Sequence, residues 1–123
     1  MLSEQALKKI DREVAKFPPE QKQSAVMGAL AIAQDEAGWL SPEVMQAVAD
    51  VLEMPAIAVQ EVATFYTMYN TAPVGKFKIT VCTNLPCQLS GGDKAAHYLK
   101  QKLGIDFRET TPDGRFTLLE GEC

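Results

Sequence analysis

The spacing of apolar residues changes once along this chain, and the change falls at Asn70-Thr71-Ala72-Pro73-Val74-Gly75. Before it, apolar side chains recur at intervals of three and four, which places them on one stripe of a helix. After it, Phe77, Ile79 and Val81 alternate with Lys78 and Thr80, the period of a strand with one side buried. A chain that switches period in this way builds its halves differently. The reading is α+β, with a small helical bundle over residues 1–72 followed by an α/β domain over 73–123.

The helical half is punctuated. Leu7, Ile10, Val14 and Phe17 form a first stripe, ended by Pro18-Pro19, a pair that cannot continue a helix but can open the next. A second helix is expected from about Glu20 to Ala37, with Val26, Leu30, Ala33 and Ala37 on one face and Gly38 as a left-handed cap, after which Trp39 and Leu40 pack back. Ser41-Pro42-Glu43 starts a third, offering a hydroxyl to cap, a proline at the first helical position and an acid in the positive first turn. Its stripe is Val44, Val48, Val51 and Leu52. Pro55 opens a fourth, with Val59, Val62, Ala63 and Tyr66 aligned and the cluster Phe65, Tyr66, Met68 and Tyr69 read as core. Four short one-sided helices bury their stripes against one another.

In the second half, Lys76 to Cys82 is the strand, and the loop holding Cys87 leads through Ser90-Gly91-Gly92 into a helix carrying Ala95, Ala96, Leu99 and Leu103, closed by Gly104. Two further strands, Phe107 to Glu109 and Arg115 to Leu119, flank the turn Thr111-Pro112-Asp113-Gly114.

Function rests on the cysteines. The chain has three, two of them in Val81-Cys82-Thr83-Asn84-Leu85-Pro86-Cys87 and the third at Cys123. The first residues, MLSEQALKKIDREVAKF, hold no continuous apolar run, so they read as neither a signal peptide nor a membrane span, and the cytosol is the default compartment. An odd count without an export signal points to metal or redox work rather than a disulfide framework. Net charge is -4 with no basic stripe, which argues against nucleic-acid binding. Cys82 at a strand end and Cys87 shortly before a glycine pair would both lie beside unpaired backbone N–H groups, a setting that favours negative charge.

The residues alone leave several uses open. Cys82 and Cys87 fit thiolate ligands of an iron–sulfur cluster, and they also fit two small buried side chains. Thiol exchange normally uses C-x-x-C at a helix start, which C-x4-C before a glycine pair matches poorly. Zinc held by Cys82, Cys87, Cys123 and His97 has suitable ligand types, although His97 falls inside the helix after the glycines. A helical interaction module with incidental cysteines is the remaining alternative.

A resemblance narrows these. EVATFYTMY (61–69), PVGK (73–76), VCTNLPC (81–87), Gly91-Gly92 and TTPDGRFTL (110–118), with GWLSPE (38–43) after an alanine-rich helix, resemble the small [2Fe-2S] subunit of the peripheral arm of NADH:quinone oxidoreductase, respiratory complex I. Related proteins of hydrogenases and formate dehydrogenases share the pattern. The resemblance implies a thioredoxin-like second domain and one [2Fe-2S] cluster held by four cysteines. Cys82 and Cys87 match the first pair and Cys123 the first member of a later C-x3-C pair, whose second member this sequence does not contain. The implied chain is a C-terminally truncated family member, with an incomplete α/β domain that holds its cluster loosely or not at all. Thr83, Asn84, Gly91 and Gly92 are expected beside the ligands. The implied activity is one-electron transfer with the flavin of a neighbouring NADH-oxidising subunit, within an oxidoreductase whose other peripheral-arm subunits are further partners. Such a subunit is peripheral to the membrane through the complex, inserts nowhere in it, and carries no complete active site of its own. A Gly-x-Gly-x-x-Gly run after a strand, the mark of dinucleotide binding, is missing.

Overall fold

Ser3 opens the first helix by accepting the Ala6 N–H on its hydroxyl, and helix α1 runs Glu4–Val14. The Ser3 N–H donates to Glu36 at 2.9 Å, tying this start to the end of a later helix. The computed structural model describes all residues, Met1–Cys123, and divides into two units, Met1–Pro73 and Val74–Cys123.

In the first unit, Pro19–Ala25 is a 3₁₀ segment kinked at Gln21 (φ -115°, ψ 33°), and helix α2 occupies Val26–Ala37. The helix expected from Glu20 therefore starts six residues late, because a 3₁₀ turn after Pro18-Pro19 satisfies the local N–H groups without the α register. Gly38 caps α2 in the left-handed region (φ 84°), and Ala37, placed on the buried face by periodicity, is exposed. Helix α3 (Pro42–Leu52) is capped by the Ser41 hydroxyl, which accepts the Val44 N–H at 3.2 Å; helix α4 is Ala56–Phe65. Ile10, Leu30, Leu40, Val48, Leu52 and Val59 are fully buried, each contributing on the order of 1.5–3 kcal/mol. Trp39 is only half-buried.

The aromatic run corrects the sequence reading. α4 ends at Phe65 because Tyr66 turns extended (φ -92°, ψ 127°), so the helical period no longer aims the residues beyond it. Gln34 then clamps the segment, donating to the Met68 carbonyl at 3.0 Å and accepting the Asn70 N–H at 2.6 Å. Tyr69 alone turns inward, its hydroxyl donating to the Met27 carbonyl at 3.0 Å. Phe65, Tyr66 and Met68 are 77%, 37% and 55% exposed and form no part of the core.

The second unit contains strand β1 (Phe77–Cys82), a short helix α5 (Leu85–Leu89), helix α6 (Gly92–Leu103), and strands β2 (Glu109–Thr110) and β3 (Phe116–Gly121). The sheet order is β1-β3-β2; β1 pairs parallel with β3, with Phe77 opposite Phe116 and Cys82 opposite Gly121, while β2 is antiparallel to β3. A parallel pair needs a crossover, and α6 supplies it by packing on β1 and β3. Leu118, Ala96 and Ile105 are its buried apolar residues. The turn forms as its residues dictate: Gly114, at φ 70°, donates to the Thr111 carbonyl, and Asp113 accepts the Thr111 hydroxyl at 2.6 Å and the Arg115 N–H at 3.0 Å. Two expectations shift. The strand expected at Phe107–Glu109 is Glu109–Thr110, since Arg108 sits at φ 65°, and Phe77 is 47% exposed because β1 lies at a sheet edge.

Candidate metal centre

The parallel register decides what can meet. Both β1 and β3 run to the same edge, and the ladder extends one residue beyond β1, the Thr83 N–H donating to the Gly121 carbonyl at 3.0 Å. Cys82 thus ends β1, and Cys123 stands two residues past the end of β3 on that edge.

The intervening loop folds back. Asn84 caps α5, its side-chain oxygen accepting the Leu85 N–H at 2.8 Å, and Pro86 fits the first turn, where its missing N–H costs nothing. Cys87 therefore sits on a helical turn that periodicity did not reveal, one too short to carry a repeat. Ser90 ends α5 and Gly91, at φ 97°, redirects the chain into α6. Gly92 follows at a point with no room for a side chain: a Cβ there would stand 2.8 Å from the Cys87 carbonyl oxygen and 3.0 Å from that of Cys82. The start of α6 is pressed onto the backbone of both cysteines.

The result is a three-sulfur group. The Sγ atoms of Cys82, Cys87 and Cys123 all lie within 4.8 Å of one another, and those of Cys82 and Cys123 are 3.6 Å apart. All three are free thiols, the first two half-buried and the third exposed. Backbone N–H groups of Asn84 and Cys123, then the Cys87 thiol, donate to the Cys82 sulfur and lower its pKa to about 7. Cys87 is pushed up to about 11, chiefly by the Cys82 side chain and then by burial.

The four residues expected beside the ligands play different parts. Asn84 lies in the site, its amide donating to the Cys123 carbonyl at 3.3 Å. The Thr83 hydroxyl turns instead to Glu120 at 3.3 Å, a carboxylate that no sequence pattern marked. Gly91 and Gly92 act through backbone shape and close approach. His97 does not join the sulfurs; it is exposed on α6 in a shallow depression with Asp93, Lys94, Tyr98 and Gln101.

An all-thiol donor set with backbone N–H groups aimed at sulfur suits thiolate-ligated iron, and the residues present supply three of the four thiolates that a [2Fe-2S] cluster takes. Fold and site together define a class, the thioredoxin-like [2Fe-2S] ferredoxins; the sequence matches that family over residues 10–123, and the chain belongs to it. Among curated proteins it is similar to a subunit of NADH-quinone oxidoreductase from Rickettsia prowazekii (strain Madrid E), 48% identical over 111 residues, covering 89% of this chain and 63% of the relative. The same subunit from Rickettsia bellii (strain RML369-C) is 49% identical, with 89% and 66% covered. NADH dehydrogenase [ubiquinone] flavoprotein 2, mitochondrial, of Dictyostelium discoideum is 39% identical, with 98% and 49% covered. The chain spans just under two thirds of the length of these Rickettsia relatives and about half of the Dictyostelium one. No helix is long and apolar enough to cross a membrane.

Proposed function

We propose that this chain is the ligand-bearing part of an electron-transfer subunit of NADH-quinone oxidoreductase, in which Cys82, Cys87 and Cys123 hold a [2Fe-2S] cluster. The observation that carries the reading is the gathering of three thiols, 41 residues apart at the extremes, to within 4.8 Å at one sheet edge, in a chain whose relatives are named for that oxidoreductase. When bound, a [2Fe-2S] cluster supplies one-electron transfer.

The residues of the chain provide the setting. Asn84 and Cys123 present N–H groups to the sulfur of Cys82, and hydrogen bonds of that kind raise the potential of a thiolate-bound iron by stabilising the more negative state. Gly92 fixes the spacing of the two ligands in the loop. In this reading NADH oxidation falls to a flavin-bearing partner, with which the cluster exchanges one electron at a time. The exposed Phe65, Tyr66 and Met68, with Ile57 at 63% exposure, offer apolar surface of the kind that a neighbouring peripheral-arm protein covers. In this reading the chain stays on the membrane-peripheral, cytoplasmic side through its complex.

The test is anaerobic reconstitution with ferrous iron and sulfide in the presence of a monothiol to fill the fourth ligand position. Visible absorption and the electron paramagnetic resonance of the reduced protein should show a labile [2Fe-2S] centre that Cys82→Ser or Cys87→Ser abolishes. Failure to take up iron and sulfide together, or an unchanged spectrum in both variants, would sink the assignment.

A further inference from the structure

Helix α4 turns one line of side chains to solvent. Ile57, Glu61 and Phe65 stand four residues apart, hence above one another on one face, and all three are exposed, Ile57 by 63% and Phe65 by 77%. Tyr66 and Met68 continue this surface past the helix end. Its rings are fixed in place. Buried Tyr69 meets the Tyr66 ring edge to face at 6.5 Å, and Tyr66 meets Phe65 in the same way at 4.9 Å. The backbone beyond is pinned by Gln34 and by the Leu40 N–H, which donates to the Asn70 carbonyl at 2.7 Å. Large rings held in advance and left in water are suited to anchor a protein interface, because covering them costs little further side-chain freedom.

Charge indicates what covers them. Residues 23–75 contain no Lys, Arg or His, yet the same stretch carries Asp35, Glu36, Glu43, Asp50, Glu53 and Glu61. The basic residues of the helical unit are confined to positions 8–22. Glu53 is paired with one of them, Lys22, at 3.1 Å, whereas Glu61, in the middle of the apolar line, makes no salt bridge. We infer that the α4 face formed by Ile57, Glu61 and Phe65, with Tyr66 and Met68 beside it, docks a partner protein whose contact surface is apolar and sets a Lys or Arg opposite Glu61.

Other occupants fit poorly. A second copy meeting this face about a two-fold axis would set Glu61 against an equally acidic surface, and like charges brought together in an interface are strongly unfavourable. An anionic lipid surface repels it for the same reason. The inference rests on the reading above in placing the chain within an oxidoreductase, names the surface that holds it there, and makes no use of the cysteines.

The experiment measures binding of the 123-residue chain to the purified flavin-bearing subunit of the same oxidoreductase by surface plasmon resonance, at low and at high salt. Phe65→Ala should weaken binding at least ~10-fold, mainly by faster dissociation. Glu61→Lys should weaken it by a similar ~10-fold or more, and Glu61→Gln should flatten its salt dependence. Tyr98→Ala, which removes a 59% exposed ring of the second unit, should bind as the unsubstituted chain does. Each substituted side chain is exposed, so the fold is retained and circular dichroism checks it. Unchanged binding in either Phe65→Ala or Glu61→Lys, equal weakening by Tyr98→Ala, or no binding by the unsubstituted chain would overturn the inference. So would a dimer in sedimentation equilibrium that Phe65→Ala dissociates, or flotation with phosphatidylglycerol vesicles that Phe65→Ala abolishes. Iron–sulfide uptake is scored separately, so a chain that takes up the cluster but does not bind retires only the docking surface, and one that binds without a cluster retires only the electron-transfer reading.

Discussion

Gly92→Ala asks whether the approach of α6 to the cysteine loop is what gathers the thiols. The new Cβ would stand 2.8 Å from the Cys87 carbonyl oxygen, 3.0 Å from the Cys87 carbonyl carbon and 3.0 Å from the Cys82 carbonyl oxygen. These are backbone atoms that no rotamer can move, so α6 or the loop must retreat. Overpacking of this kind costs about 1–3 kcal/mol. Alanine returns up to about 1 kcal/mol through helix propensity, and less at a first helical position, so a net loss of about 1–2 kcal/mol is expected. Gly91→Ala is the contrasting control: a Cβ there meets nothing within 4 Å, and its cost is the left-handed strain at φ 97°, roughly 1–2 kcal/mol. Both variants should lower the protection of β1 and β3 amides in hydrogen exchange. Only Gly92→Ala should change the rate at which a short bifunctional thiol reagent bridges Cys82 and Cys87. Wild-type protection and bridging in Gly92→Ala, or an equal change of bridging in Gly91→Ala, would refute the reasoning.

Leu118→Ala empties the most buried apolar position of the second unit and should cost about 2–5 kcal/mol, measured as loss of β1/β3 protection with the helical unit unaffected. Ser41→Ala removes the acceptor for the Val44 N–H and should destabilise the helical unit by about 1 kcal/mol in urea unfolding, with Ser41→Asp retaining most of the stability. In the metal-free chain, the pKa of Cys82 is lowered to about 7, so its thiolate is present above that pH and lost below it; its iodoacetamide labelling should rise through neutral pH and level off, while that of Cys87, pushed up to about 11, keeps climbing. At pH 7 the higher thiolate fraction, offset by lower nucleophilicity, leaves Cys82 roughly 5-fold faster than an ordinary cysteine. A shared pH profile for the two residues, read by peptide mass spectrometry, would contradict this.

Features fixed by a single residue's chemistry were legible in the sequence. The Ser41 cap, the left-handed Gly38 and Gly104 and the Thr111–Gly114 turn all form where composition placed them. What stayed hidden depends on partners distant in sequence. Phe65, Tyr66 and Met68 continue a helical period that Gln34, on another helix, interrupts by holding the Met68 and Asn70 backbone. The left-handed cap at Glu53 (φ 54°) carries no glycine to announce it. C-x4-C places two neighbouring sulfurs on a common loop, but the meeting of Cys123 with Cys82 follows from the parallel register of β1 on β3, which alternation alone cannot set.

That register also gives the site a history. Cys123 follows Cys82 by 41 residues, so at ~5–20 residues per second a ribosome makes the third thiol about 2–8 s after the first. Throughout that interval the helices of Met1–Pro73 have already been synthesised, and Cys82 and Cys87 exist as a pair without a third donor. β3 must be made and laid beside β1 before three sulfurs converge, which makes the docking of that strand the event that creates the site. An ion captured earlier would have to be held by two thiols alone, so the order of synthesis itself delays secure loading until the sheet has closed.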